Sequence, residues 1–259
     1  MPTVYATLVP LLVSAGVTTR GSVKDLFTAG ISKFPWSAGQ NACYRIPSLL
    51  RLRGNGDLVA IASERLVGSG GCGDESPSNI ILRRSKDGGD TWSDAELIFS
   101  AGATHLERSA WSIEDTTSGT IFVFSNSGVN TTTGCSCGVE YVMSKDGGVT
   151  FSAPQSIPEA TGVYGSGLAS GITHSSGRLL GCMRKICRNS CAADFHSMSF
   201  YSDDRGASWA ASSFLTAGTT ECQVAELSDG RVYMTIPSLL SLRPSPPHSP
   251  LGPPLPTLP

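Results

Sequence analysis

An eight-residue pattern occurs three times in the chain and constrains its fold more than any other feature. The pattern is Ser-x-Asp-x-Gly-x-Thr/Ser-aromatic, and its copies begin at residues 85, 144 and 202. The spacings are therefore 59 and 58 residues, and a regular period of this size is typical of repeat architectures. We call the three segments, residues 85–92, 144–151 and 202–209, the Asp hairpins.

The residue types of the Asp hairpins suit a tight turn between two strands. An Asp side chain can accept a hydrogen bond from the backbone of its own turn, and Gly adopts a positive φ at no steric cost. The Thr or Ser and the aromatic residue have good β propensity, so we expect them to enter the next strand. The large ring is then expected to pack on the neighbouring repeat.

The segments between the Asp hairpins predict short strands. Residues 46–52 and 58–62 are predicted as buried strands, and residues 79–84 lead into the first Asp hairpin. Later units open on strands that follow Gly119, Gly177 and Gly230. A unit of about 58 residues has the size of one β-propeller blade. The alternative is a β-sandwich whose hairpins are similar by chance.

Composition supports an all-β chain and argues against several classes of partner. The 259 residues include 29 Gly and 40% hydrophobic residues, which suits many short strands joined by turns. The net charge is −2, so no electrostatic footprint for nucleic acid or an anionic membrane is expected. Small molecules or glycans are better candidates as partners, and the sequence does not set an oligomeric state.

The chain contains eight Cys and none of them forms a Cys-x-x-Cys motif. The four His also stand singly, so no metal site is predicted. Disulfides between some of the Cys and buried free thiols are both consistent with the sequence.

The two ends of the chain differ in composition from the centre. Residues 1–21 hold an apolar run that is too short to span a bilayer, and we interpret them as a signal segment, a disordered tail or an extra strand. A secreted or lumenal location and a cytoplasmic one therefore both remain open. Residues 237–259 contain 9 of the 16 Pro and are predicted to be a disordered tail, because Pro cannot donate to a sheet ladder. The repeats then occupy residues 22–236.

The Asp hairpins, taken together with Tyr44-Arg45-Ile46-Pro47, resemble the sialidase (neuraminidase) family. Members of that family are six-bladed β-propellers with Asp-box repeats and an Arg-Ile-Pro motif upstream of them. The resemblance covers about residues 22–235 and implies an incomplete propeller of about four blades, truncated on its C-terminal side. It also implies an exo-α-sialidase without a cofactor or metal, which releases terminal α-linked sialic acid from glycoproteins, glycolipids or oligosaccharides.

The chemistry of such an enzyme explains which residue types it requires. Sialic acid carries a carboxylate on its anomeric carbon, and Arg side chains can bind this group bidentately. The same carboxylate would repel an Asp or Glu nucleophile, so the family uses a Tyr that a neighbouring Glu activates. A separate Asp protonates the leaving oxygen.

Three residues match the family's site by resemblance. Arg45 matches the first Arg of the carboxylate-binding set, Asp74 matches the acid/base, and Glu221 matches the Glu that activates the Tyr. A solvated or acid-paired Arg at a strand end is the alternative for Arg45, and Glu75 competes with Asp74. Glu226, in the same segment as Glu221, is interpreted as structural.

The chain also departs from the family's pattern. The resemblance implies a second Arg where this chain has Thr235-Ile236-Pro237, and neither the third Arg nor the Tyr nucleophile has a match. A non-catalytic propeller or a glycan-binding module is therefore the alternative function. Four other arginines of the first repeat are expected on solvated faces: Arg51, Arg53, Arg83 and Arg84.

Overall fold

The computed structural model describes residues 24–67, 72–73, 76–100, 102, 109–126, 138–157, 170–185, 196–212, 218–219 and 221–236. These residues form fifteen β-strands in four antiparallel sheets, and none of them is helical. The prediction of an all-β chain is confirmed. The predicted segments 1–21 and 237–259 lie outside the described residues.

The first sheet has five strands that pair in chain order. They are β1 Gly30–Ile31, β2 Asn41–Arg51, β3 Leu58–Leu66, β4 Ser78–Ser85 and β5 Glu96–Phe99. Strand β3 is buried along nearly its whole length, as predicted. Strand β2 instead alternates between buried and exposed residues, because one of its faces is not covered by a neighbouring sheet.

The second and third sheets have four strands each, and the fourth has two, again paired in chain order. The second sheet comprises β6 Ala110–Asp115, β7 Thr120–Asn126, β8 Val139–Ser144 and β9 Gln155–Ile157. The third comprises β10 Ile172–Thr173, β11 Leu179–Lys185, β12 His196–Ser202 and β13 Ala210–Ala211. The fourth comprises β14 Gln223–Glu226 and β15 Val232–Thr235. The predicted Gly-led strands are thus the second strands of their sheets, because another strand precedes each of them.

Each Asp hairpin joins the last two strands of its sheet, namely β4 to β5, β8 to β9 and β12 to β13. In the first, Asp87 Oδ1 accepts a hydrogen bond from the Thr91 backbone N–H at 2.8 Å. Ser85 Oγ accepts from the Gly89 N–H at 2.9 Å. The same two bonds recur in the other hairpins. The expected capping of the turn by Asp is confirmed.

The Thr and the aromatic residue do not enter the following strand, contrary to expectation. Thr91 and Trp92 lie in the turn, and β5 begins only at Glu96. The Thr91 hydroxyl donates to Asp87 Oδ2 at 2.5 Å, and Trp92 Nε1 donates to the Gly89 carbonyl at 3.0 Å. These bonds close the turn on itself, so β propensity does not decide the conformation here.

The third Asp hairpin packs on the neighbouring sheet, as the sequence predicts. The Trp209 ring lies 4.9 Å from the Phe124 ring and 5.4 Å from the Phe122 ring, both on β7 of the second sheet. On its own sheet, Trp209 stacks on Phe200 at 4.7 Å. In the second Asp hairpin, Phe151 likewise packs against the apolar cluster that joins the first two sheets.

Apolar clusters join each sheet to the next. One joins the first sheet to the second, one joins the second to the third, and a smaller one joins the third to the fourth. Strands of successive sheets also contact one another, β2 with β6, β6 with β10 and β10 with β14. This succession of sheets is the arrangement of an incomplete β-propeller rather than that of a two-layer sandwich.

The structure decides between the alternatives for four of the cysteines. Disulfides join Cys43 to Cys72 and Cys182 to Cys222, with Cα–Cα distances of 6.3 Å and 6.0 Å. Both distances lie in the range that a disulfide spans. The other four cysteines lie outside the described residues.

Two of the four arginines expected on solvated faces are placed differently. Arg84 is only 16% exposed and forms an ion pair with Glu96. It also donates to the Gly148 carbonyl in the Asp hairpin of the second sheet. Arg83 donates to the Ser93 carbonyl at 2.8 Å. The expectation was wrong for both, because these positions face the turn of the hairpin and the neighbouring sheet.

Candidate functional site

Arg45 lies at a β-bulge in the middle of β2. It stands opposite Ser63 of β3, whereas Ser48 stands opposite Ile61. Two residues of β2, Ile46 and Pro47, therefore face the single residue between Ser63 and Ile61. A bulge tolerates Pro because the unpaired residue needs no ladder hydrogen bond.

The bulge decides which face of the sheet carries Arg45. Ser63 and Ile61 are two residues apart in β3, so they and their partners Arg45 and Ser48 lie on one face. Without the extra residue, Arg45 and Ser48 would point to opposite faces. The shared face is the one that packs on the second sheet, since Ile61 belongs to the cluster joining the two sheets.

The backbone at the bulge is strained. Ile46 has a φ of 53°, in the left-handed region that β-branched residues rarely adopt. A strained conformation of this kind persists only where the surroundings enforce it, and such positions are frequent at functional sites. The strain makes residues 44–47, which we call the Arg45 motif, a candidate functional element on structural grounds.

Three sheets meet directly beside the bulge. Ser48 Oγ lies 2.7 Å from Ser112 Oγ of β6 and 2.9 Å from Ser170 Oγ, which precedes β10. Ser170 also donates to the Leu49 carbonyl at 3.0 Å. The Arg45 motif is thus positioned where the first, second and third sheets converge, and the Arg45 side chain is exposed there.

On the opposite face, a buried carboxylate holds the residue before Arg45. Glu64 is 1% exposed and accepts hydrogen bonds from Tyr44 Oη at 3.2 Å and from Asn79 Nδ2 at 2.7 Å. Burial, together with the nearby Glu64, raises the pKa of Tyr44 to about 12. Tyr44 is therefore a neutral phenol at ordinary pH and a poor nucleophile. Sequence reasoning missed this contact and the bulge, although a Pro within a predicted strand signals the bulge.

Asp74 and its competitor Glu75 lie outside the described residues. The residues just before them are held in place, because Cys72 is bonded to Cys43 and the Gly73 carbonyl accepts a hydrogen bond from Arg65 Nη1 at 2.7 Å. Cys43 belongs to β2, as does Arg45.

Glu221 is exposed and lies two residues before β14, the first strand of the fourth sheet. The next residue, Cys222, is bonded to Cys182 of β11. Glu226 accepts from the Ser175 N–H at 2.9 Å, and hydrogen bonds from the Ser175 side chain and backbone lower the pKa of its carboxyl group. Glu226 thus ties the fourth sheet to the third, as a structural residue would. That Arg45, Asp74 and Glu221 come together around one ligand remains a prediction.

The described residues contain no group of three or more His, Cys, Asp or Glu that could hold a metal ion. In the same part of the chain, no helix is long and apolar enough to cross a membrane.

The sheets and hairpins define a β-propeller protein built from antiparallel blades with Asp hairpins. The chain belongs to the BNR repeat-like domain family, which matches residues 58–238. It is similar to a sialidase of Micromonospora viridifaciens, with 31% identity over 235 residues that cover 82% of this chain and 34% of the relative. Human sialidase-4 is 27% identical over 219 residues, which cover 73% of this chain and 44% of the relative.

Solved structures show the same fold. A Hadza microbial sialidase superposes with a TM-score of 0.61 at 22% identity, over 76% of this chain and 42% of that one. The expectation of an incomplete sialidase-type propeller is confirmed. The chain spans about a third of the length of the Micromonospora relative and under half of the human one.

Proposed function

We propose that this protein acts on terminal α-linked sialic acid of glycans as a retaining exo-sialidase. Its support is the Arg45 motif, which combines a strained bulge with a position where three sheets converge. The similarity to sialidases points to the same substrate class. The bulge is the single observation that carries the proposal, because it places an arginine at this position at the expense of backbone strain.

Each candidate residue has a distinct chemical role in the proposal. The Arg45 guanidinium binds the sugar carboxylate and orients the anomeric carbon. The Asp74 carboxyl group donates a proton to the glycosidic oxygen as the bond to the leaving group breaks. In the family that this chain resembles, the Glu at the position of Glu221 accepts the proton of a Tyr nucleophile, and this chain offers no match for that Tyr.

The second candidate function is glycan binding without turnover. It is favoured by Thr235-Ile236-Pro237, which stands where the resemblance implies a second Arg. One arginine can still hold a carboxylate by charge-assisted hydrogen bonds. Losing the nucleophile would lower the rate by several orders of magnitude without abolishing binding.

A fluorogenic sialoside assay on the full chain, together with titration of free sialic acid, separates the two functions. The enzyme proposal predicts turnover that Asp74→Asn lowers by about 10²–10⁴-fold, the usual contribution of a general acid. The matched control Glu75→Gln changes the neighbouring carboxyl group and retains turnover. Binding without turnover supports the module, and the absence of both contradicts both proposals.

Arg45→Lys tests the carboxylate-binding role in the same assays. Lys keeps the charge but loses the bidentate geometry, so we expect sialic acid binding to weaken by at least about tenfold. The matched control is Arg51→Lys, at the exposed last residue of β2. Equal affinities of the two variants would refute the role of Arg45.

A further inference from the structure

A buried polar cluster lies behind Arg45, on the opposite face of the first sheet. At its centre is Glu64, which follows Ser63, the partner of Arg45 in the ladder. Successive side chains of a strand point to opposite faces, so Glu64 lies on the face away from Arg45. We call this cluster the Glu64 network, and its members are Ser32, Ser37, Tyr44, Glu64 and Asn79.

Three donors surround the Glu64 carboxyl group. Its Oε1 accepts from Tyr44 Oη at 3.2 Å, and its Oε2 accepts from Ser32 Oγ at 3.0 Å and from Asn79 Nδ2 at 2.7 Å. A carboxylate accepts hydrogen bonds and donates none, so this arrangement satisfies it. Glu64 is only 1% exposed, and a buried acceptor that loses its donor is costly. The three donors are therefore held firmly around Glu64.

The network also ties the segment before β2 to this face of the sheet. Ser37 Oγ lies 2.7 Å from Ser32 Oγ and accepts from Asn79 Nδ2 at 3.0 Å. Trp36 Nε1 donates to Asn79 Oδ1 at 2.8 Å. Asn79 belongs to β4, so residues 32–37 are bonded to the sheet through its side chain as well as through Glu64.

Tyr44 connects the network to Arg45, because the two residues are adjacent in β2. The Tyr44 ring is held by the hydrogen bond to Glu64 and by the Phe27 ring, whose centroid lies 5.6 Å away. Fixing the side chain of Tyr44 on one face of the strand directs the side chain of Arg45 to the other.

The strained bulge is thus held at both of its ends. After it, Ser48 is bonded to hydroxyl groups of the second and third sheets. Before it, Tyr44 is bonded to Glu64 on the other face. Ile46, with its φ of 53°, lies between these two points. A strained backbone persists only where its surroundings enforce the conformation, and these two sets of contacts can do so.

We infer that Glu64 is a positioning residue, which holds Tyr44 behind the sheet and so keeps the bulge in the form that presents Arg45 to a bound carboxylate. The inference rests on the proposed function for the ligand of Arg45. The hold of Glu64 on the bulge is independent of that ligand and can be measured without it.

Amide hydrogen exchange of the full chain tests the hold on the bulge. Glu64→Gln turns one acceptor oxygen into an NH2 group that faces a donor, so exchange across residues 44–48 should become faster by about tenfold or more. The indole N–H resonance of Trp36 should also shift, because its acceptor Asn79 loses the bond to Glu64.

The matched control is Glu114→Gln. Glu114 is a buried carboxyl group of β6 that accepts from the Arg53 N–H at 2.8 Å, in the turn after β2. This variant should leave exchange across residues 44–48 and the Trp36 resonance unchanged. If Glu64→Gln does not fold, Tyr44→Phe carries the test, since it removes only the hydroxyl group. Parent-like exchange across residues 44–48 in the Glu64 or Tyr44 variant would overturn the inference.

A double-mutant cycle on the affinity for free sialic acid tests the positioning role. Glu64→Gln should weaken binding by about tenfold in the parent, but by less than about twofold when Arg45→Lys is already present, because Glu64 acts through Arg45. Equal losses in both backgrounds would show a merely structural residue and would overturn the inference. If the parent binds no sialic acid and cleaves no sialoside, the proposed function fails, and the exchange measurement still decides whether Glu64 holds the bulge.

Discussion

At the scale of single residues, Ile46 shows how strain and position are linked in this protein. Its φ of 53° is unfavourable for a β-branched residue, yet the bulge requires it in order to bring Arg45 onto the face of Ser48. A Gly at this position would remove the steric cost. The strain at Ile46 can therefore be measured by substitution.

We expect Ile46→Gly to destabilise the protein by about 1–2 kcal/mol less than Ile98→Gly, since only Ile46 is relieved of left-handed strain. Ile98 is a half-buried residue of β5, as Ile46 is of β2, and it has an ordinary φ. The free energies of unfolding from urea titrations give the comparison. Equal destabilisation of the two variants would show that Ile46 is not strained.

The Asp204 carboxylate shows how a single side chain can make stability depend on pH. Hydrogen bonds from the Ser208 side chain and backbone lower its pKa to about 2, below the value of about 3.9 in an unfolded chain. A depressed pKa contributes stability that is present above about pH 4 and is lost as the pH falls through about 2.

We therefore expect Asp204→Asn to lower the free energy of unfolding at pH 7. The gap, meaning the difference in free energy of unfolding between parent and variant, should narrow as the pH falls from 4 to 2. Urea unfolding across this range measures the gap. The adjacent control Asp203→Asn removes a carboxylate that pairs with Arg178 on the surface. A gap for Asp204→Asn that stays constant with pH would contradict the lowered pKa of Asp204.

At the scale of elements, the Asp hairpins serve as contacts between sheets as well as turns. A Cβ at Gly206 would lie 2.3 Å from the Phe122 ring of the second sheet. The equivalent Gly89 of the first Asp hairpin has a similar positive φ, and its Cβ would make ordinary contacts with Leu58 of its own sheet at 3.5 Å and with Trp92 of its own hairpin at 3.9 Å. Substituting each glycine therefore distinguishes two effects. Both substitutions strain the backbone of the turn, but only the one at Gly206 creates a clash with a neighbouring sheet.

Gly206→Ala should destabilise the protein by about 2–4 kcal/mol, because it combines backbone strain with overpacking. Gly89→Ala should cost only about 1 kcal/mol, since it adds the backbone strain alone. Thermal and urea unfolding of both variants check the difference. Similar losses of stability in the two variants would mean that the hairpin of the third sheet does not pack closely against Phe122.

The elements also show how far sequence reasoning reaches. The spacing of the Asp hairpins and the Gly-led strands predicted the repeats, because turn chemistry is local and depends on a few adjacent residues. The strands that precede the Gly-led strands in the second, third and fourth sheets, β6, β10 and β14, were missed, since short strands such as β10 carry little periodicity of their own. The placement of Arg84 was also missed. Its carbonyl partner, Gly148, belongs to a different sheet, and no local pattern in the sequence shows such a contact.

At the scale of the whole molecule, a disulfide between Cys182 and Cys222 fastens the small fourth sheet to the third. The two cysteines belong to the apolar cluster between these sheets, with Leu180 and Val224. Two strands alone are marginally stable, so the fourth sheet depends on this contact.

Removing the bond with Cys182→Ala/Cys222→Ala should lower the free energy of unfolding by about 4 kcal/mol, as loop-closure entropy predicts for a separation of 40 residues. Amide exchange should rise most in β14 and β15, while the buried strand β7 of the second sheet serves as the internal reference. A uniform rise across all sheets would instead show that the propeller unfolds as one unit.

The sequence by itself determined the all-β class, the repeats and the propeller family, because these follow from short patterns whose physics is local. Only the tertiary structure decided the face on which Arg45 lies, the pairing of Cys43 with Cys72 and the buried contact between Tyr44 and Glu64. Each of these depends on which residues of distant segments become neighbours, and strand register sets that. A shift of one residue at the bulge would move Arg45 to the other face without altering any local signal in the sequence.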